Sequence, residues 1–419
     1  MTPLLRVLSA DDVPALRREP VDAETLSGAA AIVAEVRQRG EAALRELAER
    51  FGDLPAGAPL VIRRADLDAA REALPAPQRA VLERTAERIR SFALAQRAAL
   101  SDTDVPVPGG RAGAVLRPVE RAGCYAPGGR FPLPSSVLMT AVTARAAGVA
   151  EVWVASPRPT RETLAAASIA GADALLAVGG AQAIAALAYG VGPVPACDTI
   201  VGPGNRWVTA AKQLVAGRVA IDMLAGPSEL VVLAGAGADP GLVAADLLAQ
   251  AEHDPDALPI LVSLDAGLIA AVEAELALQL AVLPTADTAR EALRNGFAVL
   301  ARSEDEAVEL CDRLAPEHLA LHGTEALSER LRHYGALFIG EGSAEVLGDY
   351  GAGPNHVLPT GGTARSVGAL SVLTFLRVQT WLRMDESGGL VARDSVALAR
   401  MEGLEAHARA AERRVKLVP

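Results

Sequence analysis

Two short segments bring together side chains that could bind a metal ion or transfer protons. Gln250 and His253 are three residues apart, so a helix over this stretch would place both side chains on one face, about one turn apart. Glu317 and His318 are adjacent and follow Pro316. The chain has only 6 histidines, and their placement beside carboxylates and amides indicates metal binding or proton transfer.

Taken alone, the spacing of Gln250 and His253 favours the polar face of a solvated helix, or a core histidine paired with Glu252, over a metal site. Imidazole is a good zinc ligand, whereas a glutamine oxygen is a rarer one. A zinc site built on these two residues would need two further ligands from elsewhere.

The Glu317–His318 pair has two interpretations. Adjacent side chains on a strand point to opposite faces, but in a loop after a proline they can converge. A converging pair could divide two proton transfers, with one group deprotonating a hydroxyl and the other activating water. The alternative is the start of a strand with a surface glutamate.

Glycine-rich segments separate several predicted strands from the helices that follow them. Gly179 to Gln182 and Gly202 to Asn205 would let backbone N–H groups approach phosphates at a helix N-terminus. Neither segment matches the G-x-G-x-x-G fingerprint, so tight turns are the default interpretation. Tyr125, followed by Ala-Pro-Gly-Gly, adds an aromatic ring that could stack on a base or on nicotinamide.

Asp349 and His356 lie in an irregular glycine-rich stretch between residues 348 and 359. Loops of this kind often carry function. The alternative is a surface turn that Asp349 caps.

Composition excludes several classes of protein. The 419 residues carry a formal net charge of -11 with no lysine or arginine block, which argues against nucleic-acid binding and favours a small-molecule ligand. Cys124, Cys197 and Cys311 are far apart, as expected for buried free thiols in a reducing compartment. Residues 1–19 lack the apolar core of a secretory signal, and no apolar run is long enough to span a bilayer. These features predict a cytoplasmic protein.

The elements that would position these groups follow an α/β pattern. Helices and short apolar strands alternate over residues 123–226 and again from Leu230, which predicts two α/β units with parallel sheets. Residues 22–51 are predicted to form one long helix, with Asp22 as its N-cap. Residues 371–419 are predicted to be largely helical, without strand signals after Leu373, and to pack on another surface such as a second subunit.

Taken together, these segments resemble the histidinol dehydrogenase family over nearly the whole chain and in the same order. Each motif alone is weakly specific, but eight or nine in register are highly specific. The matching segments are Tyr125-Ala-Pro-Gly-Gly, Gly179-Gly-Ala-Gln-Ala, Gly202-Pro-Gly-Asn205, Gly226-Pro-Ser-Glu229, Gln250-Ala-Glu-His253, Pro316-Glu-His-Leu319, Gly348-Asp-Tyr, Asn355-His-Val-Leu-Pro359 and Glu402-Gly-Leu-Glu-Ala-His407.

The resemblance implies two incomplete Rossmann-like α/β domains with small N- and C-terminal helical segments, interlocked in a homodimer. The predicted division is an N-terminal segment of residues 1–20, a first α/β domain on the metal and substrate side, a second α/β domain that binds NAD, and a dimer-exchanged C-terminal segment. The first domain comprises residues 21–124 and 228–370, the second comprises 125–227, and the exchanged segment comprises 371–419.

The resemblance also implies an NAD-dependent oxidation of L-histidinol through L-histidinal to L-histidine at a site with one zinc ion per subunit. His318 matches the base that takes the hydroxyl proton, and Glu317 matches the residue that activates water. The matching zinc ligands are Gln250, His253, Asp349 and His407, and the matching NAD contacts are Tyr125, Gln182 and Asn205. The matching substrate contacts are Ser228, Gln250, His253, His318, Asp349, Glu402 and His407, with Glu402 and His407 supplied by the second subunit.

One segment departs from the family pattern. Residues 363–375 keep the Thr-Ala-Arg start but then diverge, which leaves room for a paralogous dehydrogenase acting on another small hydroxy compound. A non-catalytic zinc- or nucleotide-binding protein on the same scaffold is a third hypothesis. The presence of Glu317 and His318 argues against the non-catalytic protein, and the presence of Glu402 and His407 favours histidinol as substrate.

Overall fold

The computed structural model describes residues 3–13, 16, 20–128, 132–385 and 389–415. Its strands are β1 Arg6–Leu8, β2 Val61–Arg63, β3 Thr103–Val107, β4 Gly110–Pro118, β5 Arg121–Tyr125, β6 Glu151–Ala155, β7 Ala174–Leu176, β8 Thr199–Val201, β9 Ala220–Ile221, β10 Glu229–Ala234, β11 Leu258–Ser263, β12 Phe297–Leu300, β13 His318–His322, β14 Ala336–Ile339 and β15 Leu376–Met384.

The helices surround these strands and connect them. They are α1 Ala23–Arg39, α2 Glu41–Arg50, α3 Arg64–Glu72, α4 Ala76–Ala98, α5 Pro134–Ala147, α6 Arg161–Ala170, α7 Gly180–Tyr189, α8 Arg206–Val215, α9 Pro240–Ala251, α10 Ala266–Leu280, α11 Ala286–Asn295, α12 Glu304–Leu314, α13 Glu345–Asp349, α14 Gly389–Met401 and α15 Glu405–Val415. Short 3-10 turns occupy Ala10–Asp12, Glu325–Arg330, Thr363–Arg365 and Val372–Phe375.

Two six-stranded sheets form the centre of the fold. The first has the order β1-β12-β11-β10-β13-β14, and all of its strands are parallel. The second has the order β2-β7-β6-β5-β8-β9 and is parallel except for β2 at its edge. The inner strands are largely apolar, as expected where helices cover both faces of a sheet. Strand β10, for example, is buried along its whole length. The predicted α/β fold with parallel sheets is confirmed.

A smaller antiparallel sheet has the order β15-β4-β3, in which β3 and β4 form a hairpin. The prediction that residues 371–419 lack strand signals after Leu373 is wrong, because Leu376–Met384 pairs along nine residues with β4. The helical part of that prediction holds for α14 and α15.

The predicted helix over residues 22–51 is two helices. Asp22 caps α1 as expected, its Oδ1 atom accepting a hydrogen bond from Thr25 N at 2.8 Å. The chain then breaks at Gly40, whose φ of 63° lies in the left-handed region that glycine adopts at little cost. Helix α2 begins directly after it.

The sheets group the chain differently from the predicted domains. Strand β2 and most of β5 fall within residues 21–124, which the sequence placed on the metal side, yet both belong to the second sheet. Strand β5 lies at the centre of that sheet, between β6 and β8. Strand β1, from the N-terminal segment, joins the first sheet beside β12. The division into domains as such stays a prediction. Among the described residues, none of the helices is long and apolar enough to cross a membrane.

Candidate active site

The candidate site lies at the amino ends of two neighbouring strands of the first sheet. Ser228 precedes β10, and Glu317 precedes β13, which starts at His318. Strands β10 and β13 are parallel and adjacent, with Leu230 opposite His318 in the register. These strand starts therefore bring Ser228, Glu317 and His318 to one edge of the sheet, although Ser228 is far from the other two in sequence.

Glu317 is a buried carboxylate held in one position. Its Oε2 atom accepts hydrogen bonds from Ser228 Oγ at 2.6 Å and from Glu229 N at 3.0 Å. Burial raises the pKa of Glu317 well above its usual value, and these two hydrogen bonds only partly offset that effect. The affinity of Glu317 for a proton is therefore higher than that of an exposed glutamate.

His318 is buried and has a defined tautomer. Its Nδ1 atom lies 3.2 Å from Glu229 O, and since a carbonyl only accepts, Nδ1 carries the hydrogen and donates it. The Nε2 atom is then the basic nitrogen, and it has no hydrogen-bond partner among the described residues. Burial lowers the pKa of His318 to about 4, so the imidazole is neutral at physiological pH.

Glu317 and His318 converge as the proton-transfer interpretation requires. Glu317 Oε2 lies 3.7 Å from His318 Nδ1. His318 begins a strand while Glu317 stands just before it, so the alternation of strand side chains does not separate the pair. Both side chains are buried, so the alternative of a surface glutamate at a strand start is wrong.

A second set of side chains beside His318 could hold a metal ion. Ligand atoms of His253, Glu345 and Asp349 lie within 4.8 Å of one another. Asp349 Oδ2 is 3.6 Å from His253 Nε2, and Asp349 Oδ1 is 3.8 Å from His318 Nε2. Asp349 therefore lies between His253, another candidate metal ligand, and His318, the candidate base.

The polar atoms of this cluster fit a cation. Both carboxylate oxygens of Glu345, which is 1% exposed, lack hydrogen-bond partners among the described residues. The amide oxygen and nitrogen of the fully buried Gln250 also lack them. Burying unpaired polar atoms is costly unless a partner compensates. The imidazole of His253 with the carboxylates of Glu345 and Asp349 is a donor set that suits zinc or a similar divalent ion.

Helix α9 positions the first pair of candidate ligands, though not as one continuous helical face. Gln250 is in the last turn of α9, which ends at Ala251, and His253 lies just beyond the helix. The two remain linked, since His253 N donates to Gln250 O at 3.4 Å.

His356 connects the loop around Asp349 to the second sheet. Its Nδ1 atom lies 2.9 Å from Asp349 O, and its Nε2 atom lies 3.4 Å from Ser136 Oγ at the start of α5. Burial lowers the pKa of His356, so it bridges the two parts as a neutral ring.

The residues matched to NAD contacts lie at the carboxyl ends of strands in the second sheet. Tyr125 ends β5, Gln182 lies in the first turn of α7 after β7, and Asn205 caps α8 after β8. Ligands bind at this edge in many open parallel sheets. Gly129, the last residue of the Tyr125 motif, lies outside the described residues.

Backbone N–H groups of the glycine-rich turns at this edge already donate hydrogen bonds to side chains of the protein. Gly180 N donates to Tyr125 Oη at 3.2 Å. Gly202 N donates to Asp222 Oδ2 at 2.7 Å, and the buried ammonium of Lys212 bonds both Asp222 and Gly202 O. These contacts favour the interpretation of tight turns over phosphate-binding loops.

Two predicted site residues are not part of this cluster. Glu402 and His407 lie around the turn between α14 and α15, and both are exposed. His407 does not join the metal-capable group in the described part of the chain. Sequence reasoning in turn missed Glu345, although its spacing of four residues from Asp349 places both carboxylates on one turn of α13.

Several known proteins are similar to this chain in sequence and in fold. The profile of the histidinol dehydrogenase family matches residues 16–415. Histidinol dehydrogenase of Thermus thermophilus is 51% identical over 310 residues, or 73% of this chain and 75% of the relative. That of Acinetobacter baylyi is 44% identical over 403 residues, or 94% of each chain. The crystal structure of histidinol dehydrogenase from Elizabethkingia anophelis matches with a TM-score of 0.92 and 30% identity, covering 99% of each chain.

Proposed function

Because this chain belongs to the histidinol dehydrogenase family, we propose that it is an NAD-dependent oxidoreductase that converts L-histidinol to L-histidine through L-histidinal. These are the final oxidations of histidine biosynthesis. The observation that best supports this function at the level of residues is the buried pair of Glu317 and His318, whose separate hydrogen bonds suit them to two different proton transfers.

In the first oxidation, His318 Nε2 takes the proton of the substrate hydroxyl as hydride leaves the carbinol carbon. The Nδ1–H bond to Glu229 O keeps the basic nitrogen directed into the site and stabilises the imidazolium that forms. NAD, when bound, accepts one hydride in each of the two oxidations.

In the second oxidation, Glu317 takes a proton from water as the water oxygen bonds to the aldehyde carbon. The oxyanion that results takes back the proton that His318 gained in the first oxidation. The hydrate then loses hydride from that carbon and a hydroxyl proton to His318, and the carboxylic acid formed ionises to the carboxylate. A base with a raised pKa suits the activation of water, since its affinity for the proton is higher than that of an exposed glutamate. Ser228 directs the carboxylate through its 2.6 Å hydrogen bond.

Gln250, His253 and Asp349, with the partner's His407, would hold one zinc ion. Zinc bound there would supply a positive charge and a fixed point that positions the substrate. The unpaired buried atoms of Gln250 and Glu345 support a cation at this position. Glu345 adds a carboxylate next to this group that the family motif did not indicate.

The remaining assignments concern ligands and assembly. Tyr125, Gln182 and Asn205 contact NAD. Ser228 and His318 contact the substrate, as do the zinc ligands and the partner's Glu402. The protein is a cytoplasmic homodimer. The exposed apolar residues of α14 support the dimer, since Leu390, Leu398 and Met401 are 58%, 58% and 82% exposed, and such a surface is characteristic of a protein contact.

The test is an assay of NADH production with L-histidinol, compared with simple alcohols. We expect two NADH for each histidinol consumed, L-histidine as the product, and no comparable rate with the alcohols. Equal rates with another small hydroxy compound would favour the paralogous dehydrogenase. The divergent segment 366–375 contacts neither Glu317 nor Asp349 through any described hydrogen bond, so it gives no reason to prefer that alternative.

A further inference from the structure

Asp53 is a buried carboxylate that the proposed function does not use. It lies in the loop after α2, is 7% exposed, and reaches the turn between β7 and α7. Its Oδ2 atom accepts a hydrogen bond from Gly179 N at 3.0 Å and another from Gln182 Nε2 at 3.0 Å. A residue of the N-terminal helical region thus contacts a side chain that is matched to NAD.

The loop that carries Asp53 is held in place by its backbone. Asp53 N donates to Ala48 O at 2.8 Å, and Arg158 N donates to Asp53 O at 3.1 Å. Arg158 has a φ of 45°, in the left-handed region that non-glycine residues rarely adopt. Its guanidinium donates to Gly128 O at 3.0 Å. The carboxylate is therefore presented by a fixed loop and not by a freely moving side chain.

Asp53 occupies the position that an anion would take at the start of α7. The first N–H groups of a helix have no helical partners and attract negative charge. Here Gly179 N donates to Asp53 and Gly180 N donates to Tyr125 Oη. The turn therefore does not offer these groups to the pyrophosphate of a dinucleotide.

Asp53 also sets the orientation of the Gln182 carboxamide. Asp53 Oδ2 accepts hydrogen bonds from Gly179 N and from Gln182 Nε2, so the Nε2 end of Gln182 faces Asp53 and the Oε1 end faces away. Oε1 lies over Gly180, where an added Cβ would come within 2.8 Å of it. Gln182 therefore presents an acceptor, and not a donor, on the side away from Asp53.

We propose that Asp53 is a positioning residue that holds Gln182 Oε1 as the acceptor for an N–H or O–H group of the dinucleotide. This inference rests on the proposed function, because that function assigns Gln182 to NAD. The groups of NAD that could donate are the nicotinamide carboxamide, the adenine amino group and the ribose hydroxyls. A site built to read such a donor rejects an analogue that lacks it.

The first experiment measures the Asp53→Ala variant, with Asp53→Asn as its conservative control. The amide oxygen of asparagine can keep the hydrogen bonds from Gly179 N and Gln182 Nε2, so the control should bind NADH as the wild-type protein does. Alanine offers Gln182 Nε2 no acceptor, so in Asp53→Ala the carboxamide can turn over and present Nε2 in place of Oε1. We expect the Kd for NADH, from fluorescence titration without substrate, and the KM for NAD to rise about tenfold. The KM for histidinol and kcat at saturating NAD should stay within about twofold. An unchanged Kd for NADH, or an equal loss in kcat, would overturn the proposal.

A double-mutant cycle separates positioning from a structural role. Gln182→Met removes the carboxamide at similar volume. If Asp53 acts through Gln182, adding Asp53→Ala to Gln182→Met leaves the Kd for NADH unchanged, because the interaction has already been removed. Additive effects would contradict the proposal.

Dinucleotide analogues identify the donor and do not depend on the stability of the Asp53 variant. The probes are the acetylpyridine analogue, which lacks the carboxamide N–H, and the hypoxanthine analogue, which lacks the adenine amino group. The wild-type protein should bind one of them more weakly than NAD, and Gln182→Met should remove that difference. If the wild-type protein and Gln182→Met distinguish NAD from each analogue to the same extent, the proposal is wrong. Asp53-dependent NADH binding without histidinol oxidation would refute the proposed function and leave this inference standing.

Discussion

One peptide backbone holds both candidate bases, since Glu229 N donates to Glu317 Oε2 while Glu229 O accepts from His318 Nδ1. The two side chains are thereby fixed 3.7 Å apart. Glu317 bonds the N–H group of Glu229, whereas His318 bonds its carbonyl group. Because neither base depends on the other for its position, each can be removed separately. The variants below use this independence.

His318→Asn should slow histidinol oxidation by about 100- to 10,000-fold, the usual contribution of a general base. Asparagine can still donate to Glu229 O but offers no basic nitrogen. The measurement is the steady-state rate of NADH formation, with circular dichroism and Tm as controls of folding. A loss below about tenfold would contradict the assignment of the base.

Glu317→Gln should impair oxidation of L-histidinal more than oxidation of L-histidinol. The glutamine oxygen can keep the hydrogen bonds from Ser228 and Glu229 N, but the amide cannot take a proton from water. Rates are measured with each substrate separately. Ser228→Ala is the matched control, since it removes one hydrogen bond and leaves the carboxylate. Equal losses for both substrates in Glu317→Gln would refute the role in water activation.

Chelation should abolish activity, and zinc should restore it. Added zinc should also raise the Tm of the chelated protein, because an ion that binds only the folded state stabilises that state. Glu345→Gln should weaken zinc retention on dialysis, measured as metal content per subunit. The exposed Glu329→Gln is a control that should leave metal content unchanged. A fully active metal-free protein would rule out the zinc site.

Mixed dimers test whether His407 acts in the partner's site. His407→Ala and His318→Ala should each be inactive alone. If His407 acts in trans, a mixed dimer has one site with both changes and one site with neither. Random reassociation should then recover about a quarter of the wild-type activity, because half of the dimers are mixed and each has one intact site. No recovery, with mixed dimers confirmed by mass, would place His407 in its own subunit's site.

The three cysteines should not react with thiol reagents in the folded protein. Cys124, Cys197 and Cys311 are free and buried. Burial raises the pKa of Cys124 to about 12 and raises those of the other two as well, and only the thiolate reacts. Labelling should therefore stay slow from pH 7 up to about 9 and reach three thiols per chain only after unfolding. Rapid labelling of native protein at pH 8 would contradict this burial.

The repeating parts of the fold were predictable from the sequence. The alternation predicted over residues 123–226 includes the strand Glu151–Ala155, because a short apolar run between helices indicates a buried parallel strand. Strand β15 was missed although Val378, Thr380 and Leu382 alternate with Arg377, Gln379 and Trp381. Its partner β4 lies far away in the chain, and no local signal indicates that pairing.

The candidate site was predictable only where motifs specify it. Glu317 and His318 were predicted as a pair that divides two proton transfers. The structure brings the two side chains together, 3.7 Å apart, while their roles stay predictions. Glu345 and Asp53 look like ordinary acidic residues in the sequence. Only the burial and the backbone contacts of the folded chain distinguish them, and no spacing rule supplies these.

The pairing of β1 with β12 has a consequence for synthesis. Arg6 pairs with Phe297 in the first sheet, while the strands of the second sheet lie between them in the chain. During translation the second sheet can assemble as it leaves the ribosome, but β1 has no partner until residues 297–300 emerge. The nascent chain therefore exposes an unpaired strand for most of its elongation, which makes this edge a target for chaperones and for misassembly.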